Sequence, residues 1–253
     1  MSADRVQAAL AGGVLTLTLN RPDKRNAIDS PMVEALLQSL ERAELDAGVR
    51  VVAVRGAGPD FCAGADLEEL LASVERTPEE NAQSALRLGE LFIRMRALPK
   101  PVVAVVHGRA LAGGCGLATA CDLLLARAGA QLGYPEVRRG FAPAMVMAIL
   151  RRIVGEKVAF DLVATGRILT AEEARHLGLV SRAIPPERFE GEVAEVLGTL
   201  AVASPTALAL IKRQLYELDG LTFEGGIRLG AEVNALARTT PDFRTAIAAF
   251  LKQ

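Results

Sequence analysis

Pro101-Val102-Val103-Ala104-Val105-Val106-His107-Gly108-Arg109-Ala110-Leu111-Ala112-Gly113-Gly114-Cys115-Gly116-Leu117-Ala118-Thr119-Ala120-Cys121-Asp122-Leu123-Leu124-Leu125 is the stretch that decides the fold, with Tyr134-Pro135-Glu136 just beyond it. The apolar run at 102–106 predicts a strand buried on both faces. The glycines at 113, 114 and 116 open a short helix of small residues, 123–125 predicts a second strand, and Glu136 falls on the loop after it. Glycine at a helix start lets backbone approach a ligand closely. The first N–H groups of that helix have no intrahelical partner and sit at the positive end of its dipole, where a negative oxygen is favoured.

Working outward, Leu15, Leu17 and Leu19 alternate in 14–19 and predict a half-buried strand. Asn20-Arg21-Pro22-Asp23 reads as a turn, and Arg21, Lys24 and Arg25 cluster there. Ser30-Pro31 opens a helix with Val33, Leu36, Leu37 and Leu40 on one face, and 51–54 is a short buried strand. Gly56–Gly64 is a second glycine-bearing loop, and a helix with Leu67, Leu70, Leu71 and Val74 on one face starts near Asp66. Thr77-Pro78-Glu79-Glu80 and Thr170-Ala171-Glu172-Glu173 are capping boxes. Val137–Pro143 reads as a loop, with helices at about 143–153 and 156–165, the second stopped by Gly166. Leu179–Ile184 predicts a short strand ended by Pro185-Pro186, the best boundary signal in the chain. Beyond it the pattern is helical only: Phe189, Val193, Val196, Leu197 and Leu200 share a face, and Ser204-Pro205 and Thr240-Pro241 start further helices.

Strand–strand–helix units followed by a helical tail place the chain in the α/β class. Neither a G-x-G-x-x-G after the first strand nor a phosphate-binding G-x-x-x-x-G-K-[ST] occurs, so a plain dinucleotide-binding fold is not supported. The 253 residues are 51% hydrophobic and 23% charged, with a net charge of −1. That balance gives no electrostatic footprint for nucleic acid or a membrane surface. The cysteines, Cys62, Cys115 and Cys121, are odd in number and form no CxxC pair, and His107 and His176 are the only histidines; neither a disulfide framework nor a zinc site is expected. With no signal-peptide pattern in the first twenty residues and no apolar run of spanning length, the expectation is a cytoplasmic protein.

The two glycine turns, Ala63-Gly64-Ala65-Asp66 and Ala112-Gly113-Gly114-Cys115-Gly116, read in either of two ways. They are tight packing turns, or they aim two backbone N–H groups at one oxygen as an oxyanion hole. Glu136 is likewise either a solvated loop acid or a proton shuttle whose pKa is raised by burial. His107 reads as a structural histidine and His176 as a surface one. Cys62 and Cys115 have no cationic partner nearby in sequence and read as small hydrophobes.

Taken in order, Asn20-Arg21-Pro22 with Asn26-Ala27, Phe61-Cys62-Ala63-Gly64-Ala65-Asp66-Leu67, Lys100–Leu117 with Cys121-Asp122, and Tyr134-Pro135-Glu136 resemble the enoyl-CoA hydratase/isomerase (crotonase) superfamily. The match runs from about Asn20 to the segment 174–180. The resemblance implies a spiral of ββα units over residues 1–186. Residues 187–253 would be a helical region that covers the pocket and builds a homotrimer or a dimer of trimers. It implies an acyl-CoA thioester ligand and neither metal nor redox cofactor, coenzyme A being part of the substrate. It places the oxyanion donors at Ala65 and Gly113 and the acid/base at Glu136. Arg25, Ala27, Ala63, Asp66, Leu67, Gly114 and Pro135 would line the substrate. Well-known hydratases of this family carry a second glutamate where this chain has Gly116. The wording around Gly113 and Glu136 is similar to a bacterial branch of single-glutamate enzymes described as hydratases. The expectations, in order, are a 2-enoyl-CoA hydratase, a Δ3,Δ2-enoyl-CoA isomerase, and a non-catalytic acyl-CoA binder.

Overall fold

The computed structural model describes residues 4–252. A six-stranded sheet carries the chain. Its strands are β1 (Val6–Ala11), β2 (Val14–Leu19), β3 (Val51–Gly56), β4 (Val102–Val106), β6 (Leu123–Arg127) and β9 (Arg182–Ile184), in the order β1-β2-β3-β4-β6-β9. Only the β1–β2 pair is antiparallel; every later neighbour is parallel. A small second sheet joins β5 (Arg109–Leu111), β7 (Gln131–Gly133) and β8 (Ile168–Thr170). The helices are α1 (Ser30–Leu45), α2 (Leu67–Ala72), α3 (Pro78–Ala97), α4 (Gly113–Ala120), α5 (Ala144–Thr165), α6 (Ala171–His176), α7 (Phe189–Val202), α8 (Pro205–Glu217), α9 (Phe223–Thr239) and α10 (Pro241–Phe250).

Successive strand residues point to opposite faces, and here both faces are buried. Leu17, Leu19, Val52, Val54, Val102, Ala104, Val106 and Leu124 meet α1, α3 and α4 in the larger core. Val51, Ala53, Val103, Val105, Leu125 and Ile184 meet α7 through Phe189, Val193 and Val196. The central strands therefore read as apolar runs at 51–54, 102–106 and 123–126, whereas β2 alternates and β1 is an exposed edge. Pro185-Pro186 marks the change from strands to helices, and the first helix after it packs straight onto the sheet.

The caps follow the sequence. Asp29 Oδ1 accepts from Met32 N at 3.0 Å to start α1. Both threonine capping boxes form. Gly166 closes α5 in the left-handed region at φ 60°, and Gly155 at φ 74° breaks α5 internally, between the two expected helices.

Three readings change. β1, β5, β7 and β8 were not expected: β1 is an alanine-rich edge strand, and the others have three residues each, too short for a period to register. The expected loop after Tyr134 begins as a 3-10 turn, Pro135–Arg139, closed by Gly140 at φ 68°. The shared face of α2 is not packed within the chain; Leu67, Leu71 and Val74 stand open.

Candidate active site

The loop 61–66 is laid between two partners. On one side Cys62 N donates to Arg109 O at 3.0 Å and Leu111 N to Cys62 O at 2.9 Å. On the other, Ile28 N donates to Gly64 O and Asp66 N to Ile28 O, both at 2.8 Å. These bonds bracket Ala65 and leave its amide out. Neither Ala65 N nor Gly113 N finds an acceptor among the described residues, and both residues are half-buried.

Two unusual backbone conformations bring these amides together. Gly64 has φ 108°, and Ala112, a residue with a side chain, is held at φ 51° and ψ −129°. Such strain costs on the order of 1–3 kcal/mol and persists only where the surroundings enforce it. Here it turns the 112–113 peptide at the mouth of α4. The turns meet tip to tip: a Cβ on Gly64 would lie 2.8 Å from the Ala112 Cβ and 3.5 Å from Gly113 N, and one on Gly113 would lie 3.7 Å from Ala65 N. Gly114 supplies clearance, since a Cβ there would lie 2.4 Å from Cys62 O.

Glu136 is carried by the 3-10 turn that follows β7. It is 8% exposed, and its Oε2 is buried without a hydrogen-bond partner among the described residues. Burial pushes its carboxyl above the usual carboxylate range, opposed in part by its own backbone amide and by the Arg139 charge. Tyr134, two residues before it, is wholly buried. Tyr134 is fixed by Thr119, hydroxyl to hydroxyl at 3.1 Å. Burial pushes the Cys62 and Cys115 thiols up to about 12, which leaves both as packing groups. His107 Nε2 is satisfied by Gly58 O at 2.9 Å, and His176 is exposed.

The expected substrate-lining residues divide. Ala63 is half-buried and Leu67 exposed beside the amide pair. Pro135 is buried at the start of the 3-10 turn, and Gly114 is buried against Cys62. Asp66 is spent on structure: it caps α2 through Glu68 N and Glu69 N and takes Arg21 at 2.7 Å. Arg21 also donates to Ala27 O at 2.6 Å. The basic cluster therefore does not act as one. Arg21 is half-buried in this lattice of bonds, Lys24 pairs with Glu68, and Arg25 remains exposed in the left-handed region at φ 51°.

Residues beyond those read from the sequence also build the site. Asn26, fully buried, donates from Nδ2 to Ala57 O, Asp60 O and Phe61 O and holds the 20–27 turn on the 57–61 loop. Asp60 takes Arg109 in a two-pronged pair at 2.8 Å and orients β5. Phe92 and Val146 fill the space beside Gly116, where a Cβ would lie 2.3 Å from Val146 Cγ1 and 3.6 Å from Phe92 Cζ. None of these contacts is local in sequence, so no spacing signals them.

Comparison with known proteins bears on family and fold. The profile of the family described as enoyl-CoA hydratase/isomerase matches residues 10–251. A Thermus thermophilus protein bearing an enoyl-CoA hydratase name is 46% identical over 96% of each chain. The 2,3-dehydroadipyl-CoA hydratase of Escherichia coli is 33% identical, covering 95% of this chain and 92% of its own. The crystal structure of a Mycobacterium smegmatis enoyl-CoA hydratase superposes with a TM-score of 0.94 at 31% identity, over 98% of this chain and 96% of that one. Fold, family profile and relatives agree: the chain belongs to the enoyl-CoA hydratase/isomerase, or crotonase, family.

Proposed function

We propose that the chain adds water across the double bond of a 2-enoyl-CoA thioester, with Glu136 as its single acid/base and the Ala65 and Gly113 amides as the oxyanion hole. Two observations support this reading: a buried Glu136 carboxyl oxygen without a partner, and a pair of neighbouring backbone amides that lack acceptors.

The thioester carbonyl oxygen accepts from both amides. Glu136 as carboxylate takes a proton from water as its oxygen bonds to Cβ. The π electrons move through Cα to the thioester oxygen and form an enolate, on which the two N–H groups tighten. The protonated Glu136 then returns that proton to Cα, and the carbonyl re-forms. Losing one such amide typically raises the barrier by about 3–4 kcal/mol. Elevation of the carboxyl pKa brings it nearer neutrality, where one group gives and takes a proton efficiently. These steps ask for no metal or redox cofactor.

A second reading has an observation of its own. Beside Gly116 stand Val146 and Phe92, apolar groups with no capacity to hold a water. Apolar groups at that place suit a 1,3-proton shift, in which Glu136 takes a proton from Cα of a 3-enoyl-CoA and returns it two carbons away. A spectrophotometric assay separates the two. The hydratase reading expects loss of the conjugated enoyl-thioester absorbance from crotonyl-CoA. Growth of that absorbance from a 3-enoyl-CoA, with crotonyl-CoA inert, assigns the isomerase. Neither signal at any chain length favours a non-catalytic acyl-CoA binder.

For assembly, the proposal is a homotrimer or a pair of trimers built through the C-terminal helices. It is supported by exposed apolar side chains such as Leu215, Phe223 and Ile227.

A further inference from the structure

Gly113 and Gly116 lie three residues apart on α4, on the same helix face. Gly113 is half-buried at the mouth of the site, and Gly116 is buried one turn deeper. On the acyl-CoA reading, a thioester with its oxygen on the Gly113 amide would have Gly116 one turn further along the same face. What it meets is fixed by two other helices. Val146 comes from the first turn of α5 and Phe92 from the body of α3, and each is 5% exposed. Val146 Cγ1 sits so near Gly116 that it occupies the room a side chain there would need. One turn earlier on α3, a Cβ on Gly89 would lie 3.5 Å from Met145 Sδ, so the two helices close on each other along the same seam. The loop leading from Glu136 to α5 is itself turned back by Phe141 N donating to Glu136 O at 3.2 Å. Acid and wall thus belong to one continuous segment.

We infer that Val146, backed by Phe92, closes the acyl end of the site over Gly116 and restricts it to short acyl chains. The inference rests on the acyl-CoA reading above and adds a residue that sets specificity. Val146 touches the acyl tail, while proton transfer belongs to Glu136. Truncating it removes the two methyls that stand over Gly116 and opens room along α4 for further methylenes. The added discrimination expected from such a change in an apolar pocket is about 10-fold or more.

Calorimetric binding of two saturated, unreactive thioesters, butanoyl-CoA and octanoyl-CoA, tests this without turnover. The wild type is expected to bind butanoyl-CoA more tightly. In Val146→Ala the preference should shift about 10-fold toward octanoyl-CoA. Val146→Met, which fills the space, should shift it the opposite way, so the test survives poor folding of either variant. Both esters bound by all three proteins with an unmoved ratio overturns the inference and leaves the acyl-CoA reading standing. No binding of either ester by the folded wild type overturns that reading, and the inference with it.

Discussion

At the scale of single residues, Glu136 sets the pH behaviour. Burial lifts its carboxyl above the ordinary glutamate value. In the proposed reaction the ionised form is the base, so kcat/KM should fall on the acid side through an elevated pKa. A pH profile whose acid limb sits at or below the usual glutamate range would contradict this. The sign for stability is opposite. The folded state holds the proton more tightly than the unfolded chain, so stability is lost as pH rises from the ordinary value through the raised one. Glu136→Gln removes that loss and should melt no lower than wild type above neutral pH, as thermal denaturation will show. Glu136 drew notice in the sequence by following Pro135 at a strand end, a position that equally fits a solvated loop acid, and its acid/base role came from the family resemblance. Its unpartnered oxygen was not legible, because burial of that oxygen depends on tertiary packing. Asp66 shows the converse: the motif suggests a place on the substrate channel, while its carboxylate is taken up by Arg21 and the α2 cap.

At the scale of elements, the decisive contact is between the 61–66 loop and the mouth of α4. Gly113 and Gly114 do different work there, one presenting an amide and the other allowing Cys62 to approach. Gly114→Ala drives a Cβ to 2.4 Å from Cys62 O. It should destabilise the fold by about 1–3 kcal/mol in chemical denaturation, and lower kcat as the two turns part. The glycine runs were plain in the sequence; their division of labour was not, since it is set by residues some fifty positions away. The far end of α4 is tied differently. Asp122, just after it, takes Lys212 at 2.7 Å and the Tyr216 hydroxyl at 2.7 Å, both from α8. Lys212 is buried and also donates to Met95 O at 2.7 Å and Lys100 O at 2.9 Å. Removing one member of a buried pair leaves the other uncompensated. Lys212→Met should therefore cost about 3–5 kcal/mol, measured by urea denaturation, and loosen α8 first in hydrogen exchange. Nothing in the lysine's surroundings in sequence marks it as buried.

At the scale of the molecule, the sheet and α7 complete their cores within one chain, whereas the last helices do not. Phe223 is 87% exposed and Phe250 72%, with Ile211, Leu215 and Ile227 also open. Exposed apolar side chains of this size suit the proposed interface. If the proposed trimer uses it, Phe223→Glu should shift the sedimenting species toward monomer; an unchanged trimer would place the interface elsewhere. The helical tail was legible from its periodicity and its Ser-Pro and Thr-Pro starts. Its exposed face was not, because an apolar stripe reads the same whether it meets its own core or another copy.

The proposed function turns on one event, formation of an enolate over Ala65 and Gly113 with Glu136 moving the proton. Exchange of the α-hydrogens of butanoyl-CoA in deuterium oxide, followed by NMR, measures that event whether the full reaction is hydration or isomerisation. The account predicts exchange with the wild-type protein and none above background with Glu136→Gln, which should still bind the ester with similar affinity. Exchange at the wild-type rate in that variant would contradict it.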